Sequence, residues 1–113
     1  MMTDHTNDPY RQADARTILA QLGKWTAMSI GLREILDLGD GIRGRIGMSN
    51  PYYKLVIRLY VNDTYHVQII RRARRDKFCT DYVTEFDSSE VYCDQLSEIV
   101  SSAWAGVMEA KGR

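Results

Sequence analysis

The stretch 52–75, YYKLVIRLYVNDTYHVQIIRRARR, constrains the fold of this chain more than any other. Two β-rich runs, 53–61 and 65–72, flank the polar break Asn62-Asp63-Thr64. Branched and aromatic residues on both sides of an Asn/Asp turn spell a β-hairpin. Side chains alternate across a strand. Leu55, Ile57, Leu59 and Val61 therefore share one face, and Val56, Arg58 and Tyr60 the other. On the return strand Tyr65, Val67 and Ile69 alternate with His66, Gln68 and Ile70. One face reads as core; the other mixes Arg, Tyr, His, Gln and aliphatics.

The flanking segments fill in the architecture. Residues 1–8 read as a disordered tail ahead of a single domain over 9–110. Asp8-Pro9 makes a helix start, Ala15, Ile18, Leu19 and Leu22 a helical stripe, and Gly23 a stop, which predicts a helix over 9–22. Residues 25–30 read as a first strand, and 31–38 stay open between strand and loop. After the turn Asp40-Gly41, 42–47 alternates as a strand with Ile42 and Ile46 inward and Arg43 and Arg45 outward. Its glycines point to a bulge or a close backbone approach. Asn50-Pro51 is a second break. Residues 78–86 read as an edge strand, with Asp87 capping a last helix and Glu90 as its reciprocal partner. Its stripe is Tyr92, Leu96, Ile99, Val100, Ala103 and Val107, ending near Glu109. The expected fold is an α+β two-layer sandwich: a four- to five-stranded antiparallel meander with an N-terminal and a C-terminal helix on one face.

A chain of 113 residues supports one core, and its formal net charge is zero. Neither the bulk basicity of many nucleic-acid binders nor the acidity of a DNA mimic is present. The charge is uneven along the chain. Residues 33–77 hold ten Lys/Arg against five Asp/Glu, while 79–98 hold six acids and no Lys or Arg. Cys79 and Cys93 form no metal-binding or redox spacing and read as idle thiols in a reducing compartment. No segment reaches the ~20 apolar residues of a membrane span, and the polar N-terminus is unlike a signal peptide, so a cytoplasmic protein is expected.

A sheet covered by helices on one side leaves its second face bare. Arg43, Arg45, Arg58, Tyr60, His66, Gln68, Ile70 and Arg72 gather there, with Val56 among them, a composition typical of interaction surfaces and equally of a solvated strand face. Beyond them, 71–77 packs five cations against one acid. The partner-binding residues are thus Arg43, Arg45, Arg58, Tyr60, His66, Arg71, Arg72, Arg74 and Arg75. Arginines in such a cluster suit phosphates or an acidic protein surface, and as edge charges they also block strand-to-strand aggregation. Catalytic chemistry finds no support: His66 has no acid or nucleophile at a telling spacing, no nucleophile elbow exists, and the glycines form no phosphate-binding loop. Asp37, Asp40 and Asp63 sit at turns rather than in a metal-ligand pattern. No cofactor and no metal are expected. Uncovered strands also suit a homodimer.

ILAQLG at 18–23, AMSIG at 27–31, the hairpin 54–75 and EVYCDQLSEI at 90–99 resemble a group of small, mostly uncharacterised phage and prophage accessory proteins. Those carry a helix ending in QLG, a hairpin of the DTYxVxF type and a helix beginning VYADQL. The resemblance covers roughly 18–107, and its most specific parts are Asp63-Thr64-Tyr65 with Val67 and 91–96. The chain departs from the pattern at 29–34. The resemblance implies phage origin and a shared fold more than an activity. Small phage accessory proteins of this size are often counter-defence factors of the anti-CRISPR kind, so by that association a host defence protein or nucleoprotein complex is the expected partner. The alternative is a small nucleic-acid-binding protein that uses the basic end of the hairpin.

Overall fold

The computed structural model describes residues 10–47, 53–73 and 81–111. The elements run α1 (Ala15–Leu22), α2 (Lys24–Ile30), β1 (Arg33–Asp37), β2 (Gly41–Arg45), β3 (Tyr53–Leu59), β4 (Tyr65–Arg72), β5 (Tyr82–Val91) and α3 (Leu96–Lys111). The five strands pair in chain order as an antiparallel meander. Short connections between neighbouring strands make this the simplest sheet topology.

The core lies between the sheet and the helices. Ile42, Leu55, Ile57, Val67 and Ile69 are fully buried on the covered side, against Ile18, Leu22, Ile30, Leu96 and Val100. Tyr53 packs edge-to-face on Trp104 at 5.4 Å between ring centroids. The hairpin reads as expected, with Leu59 opposite Tyr65 and Tyr53 opposite Arg71. Val61, expected inward, lies in the turn and is 60% exposed.

Three elements differ from the sequence reading. The first helix begins at Ala15, where the Asp14 carboxylate accepts the Arg16 backbone N–H at 3.0 Å. Ahead of it, the chain is extended: the Arg11 N–H donates to Leu59 O and the Ala13 N–H to Gly39 O, both at 2.8 Å. Tyr10 forms a bridge with Tyr60, continuing the row of β2 past its end. Residues 25–30, expected as a strand, are helical. Thr26 and Ile30 are one turn apart and both point inward, while Trp25 and Met28 face out, so the spacing is helical and not alternating. Gly31 closes α2 in the left-handed region at φ 72°.

The third difference concerns β5. It runs on through Asp87 and Glu90 to Val91, and the helix opens only after a short 3-10 turn, Cys93–Gln95. The expected cap at Asp87 is therefore a strand residue opposite Gln68. Gln95 does the capping, its side-chain oxygen accepting the Tyr92 N–H at 3.2 Å. Tyr92 consequently leaves the buried stripe and is 59% exposed.

Candidate functional site

Alternation sends Arg43, Lys54, Val56, Arg58, His66, Gln68 and Ile70 to the side of the sheet away from the core. Pairing aligns them in rows: Arg43–Val56–Gln68–Asp87, Arg45–Lys54–Ile70–Thr84, Arg58–His66, and Arg72–Tyr82. Val56 is only 8% exposed although no helix among the described residues covers it, so the long polar side chains beside it fill over an apolar floor. The face has two chemically distinct ends.

At the turn end of the β3–β4 hairpin three rings lie nearly parallel. Tyr10 and Tyr60 stack at 5.1 Å, Tyr60 and His66 at 5.4 Å, and Tyr10 and His66 at 6.0 Å, with interplanar angles of 14°, 14° and 6°. The Arg58 guanidinium lies 5.0 Å from the centre of the Tyr10 ring. The His66 imidazole joins two further groups: Nδ1 meets the Tyr10 hydroxyl at 2.6 Å, and Nε2 meets Asp87 Oδ1 at 2.6 Å. A neutral ring satisfies the whole chain by donating from Nε2 to the carboxylate and accepting the phenol proton at Nδ1. Gln68 donates to the other Asp87 oxygen at 3.3 Å. Arg58 Nε faces Asp40 Oδ1 at 3.5 Å, an ion pair too long for a hydrogen bond. Burial, and then the neighbouring Tyr10 hydroxyl, push the Tyr60 phenol above its ordinary value.

The far end is cationic. Lys54 Nζ donates to the Tyr82 hydroxyl at 2.9 Å and lies 5.1 Å from the centre of its ring. That hydrogen bond, helped by the charges of Lys54, Arg72 and Arg43, holds the Tyr82 phenol below its ordinary value. Arg45 pairs with Glu34 at 3.4 Å. Arg43 and Lys54 have no carboxylate partner among the described residues.

The residues expected to bind a partner therefore divide. Arg43, Arg45 and Arg72 gather at the far end, and Arg58, Tyr60 and His66 at the turn end. Arg71 joins neither group. Opposite Tyr53, it points to the helix side and pairs with Glu85 Oε2 through Nε at 2.6 Å, an interaction that raises its already high pKa. Arg74 and Arg75 lie outside the described residues. Arg72 also stands six residues of β4 from His66, about 20 Å at strand rise, so a single hairpin tip does not hold the whole set.

Sequence reasoning missed Tyr10, Asp87, Lys54 and Tyr82. Tyr10 was assigned to a helix and Asp87 to a cap. Only the pairing of β4 with β5 brings Asp87 to a histidine 21 positions earlier. Among the described residues no group of three or more His, Cys, Asp or Glu is placed to hold a metal, and no helix is long and apolar enough to cross a membrane. Compared with protein-family models, curated proteins and solved structures, the chain matches none of them.

Proposed function

We propose that this chain is a non-catalytic binding protein that lays its bare sheet face on an anionic surface of a host effector, in a counter-defence role. One observation carries the docking half of the reading. Arg43 and Lys54 stand at the cationic end of the bare sheet face, beside the buried Val56, and among the described residues no carboxylate pairs with either. Cations left unneutralised in this way steer and dock anions, and the aliphatic parts of their stems supply contact area. Phage origin rests on the sequence resemblance, and the counter-defence role on its association with small phage accessory proteins of this size.

Two measurements test the reading. Wild-type protein is expected to be retained on heparin at low salt, and Arg43→Glu/Lys54→Glu is expected to flow through. In bacteria carrying an active nuclease-based defence system, wild type should restore plaquing of a targeted phage, and the double variant should not. Absence of heparin retention would sink the docking half; failure to restore plaquing against a panel of defence systems would sink the role.

A further inference from the structure

We infer that the anion taken by this face is a single-stranded nucleic acid, with bases against Tyr60 and its neighbouring rings and phosphates over Arg43 and Lys54. The inference rests on the docking of the bare face proposed above and names its partner chemistry. It is carried by how the two ends differ. At the turn end the partly exposed Tyr60 ring lies near-parallel to Tyr10, which carries the Arg58 guanidinium over its face, and to the mostly buried His66. Alongside, Asp40 faces Arg58 and Asp87 is bonded to His66. Those carboxylates disfavour anionic groups beside the rings, protein carboxylates and phosphates alike, so the group that meets Tyr60 is an uncharged, flat one. Bases are uncharged and stack on any aromatic face, so the same end suits them.

The far end has the opposite character. Arg43 and Lys54 lie beside the Tyr82 hydroxyl and Arg72, whose charges act on the same phenol. Arg offers a fork that matches phosphate oxygens, and Lys a point charge. Four residues of β4 separate the row of His66 from that of Lys54 and Ile70, about 13 Å at strand rise. A flexible strand spans that distance while alternating rings and charges. A duplex hides its base faces within the stack, so contact with Tyr60 calls for unpaired bases.

Fluorescence anisotropy with a short labelled oligothymidylate tests this, with four comparisons: the same backbone without bases, the matched duplex, heparin and polyglutamate. Wild type should bind oligothymidylate more tightly than duplex, abasic strand or polyglutamate, and its affinity should fall with salt by a slope of about 0.7 per phosphate engaged. Arg43→Glu/Lys54→Glu should lose every polyanion. Tyr60→Ala should weaken oligothymidylate about tenfold or more and leave the abasic strand unchanged, while Tyr60→Phe, which keeps the ring, should bind like wild type. Polyglutamate bound as tightly as oligothymidylate would assign the face to an acidic protein and overturn the inference. Equal affinity for the abasic strand or the duplex would overturn it too. Heparin retention without oligonucleotide binding rejects the nucleic acid alone and leaves the docking reading standing; loss of both rejects the two together.

Discussion

His66 occupies a position where one side chain decides how a separate segment is held. Its two nitrogens link Tyr10, ahead of α1, to Asp87 on β5, across the width of β4. Removing the ring as His66→Ala deletes both links and the stacking surface for Tyr60. A net hydrogen bond contributes about 1 kcal/mol, so we expect global stability to fall by about 1–2 kcal/mol. Amide exchange should report the loss locally, because the Arg11 and Ala13 N–H groups that tie this segment to Leu59 and Gly39 should exchange faster. Unchanged exchange there would show that the backbone pairing alone holds the segment. Gly41 makes a stricter demand. A Cβ at this position would come within 2.0 Å of Ile57 O and 2.7 Å of Arg58 Cα. Both atoms belong to the backbone and cannot swing away. Gly41→Ala should therefore cost about 3 kcal/mol or more in chemical denaturation, at the top of the range for overpacking.

Elements were legible where the pattern was long and repeated in a neighbour. The β3–β4 hairpin has alternation on both strands and turn residues between them, so its pairing and its two faces followed from the residues. The core stripe of α3 was equally plain in Leu96, Val100, Ala103 and Val107. α2 was not: in seven residues the inward pair Thr26 and Ile30 is too little to separate a helical period from a poor alternation. β5 was cut short because Asp87-Ser88-Ser89-Glu90 satisfies a local capping rule, while pairing with β4 claims those residues for the sheet. The same misassignment hid half of the candidate site, since Asp87 as a cap cannot meet His66. Two substitutions separate the alternatives. Gln95→Ala removes the acceptor of the Tyr92 N–H and should lower stability by about 0.5–1 kcal/mol through the start of α3. Asp87→Ala should leave that helix start intact and instead disturb the His66 and Gln68 resonances in an NMR spectrum. Fraying of α3 in Asp87→Ala would restore the capping assignment.

At the scale of the whole molecule, seven tyrosines in a chain of zero net charge make alkaline pH a sensitive probe of both core and face. Burial raises Tyr53, Tyr60 and Tyr65 above the ordinary value of 10.0. The unfolded chain therefore releases those protons first. Their contribution to stability is complete below pH 10 and is lost as pH climbs through the raised folded values. Tyr82 has the opposite sign: its contribution is complete above pH 10 and is lost as pH falls through its lowered folded value. Three against one, the urea midpoint should decline above pH 10, and Lys54→Met should bring Tyr82 back toward its ordinary value by removing the main cause of its shift. The same phenol then reports occupancy of the face. A polyanion over Arg43 and Lys54 places negative charge where positive charge now favours the phenolate, and the Tyr82 value must rise. Just below pH 10, adding heparin should reduce the phenolate absorbance of wild type and leave Tyr82→Phe unchanged. Equal signals from the two proteins would mean that the polyanion sits elsewhere, and the cations around Tyr82 would lose their claim to be the docking point.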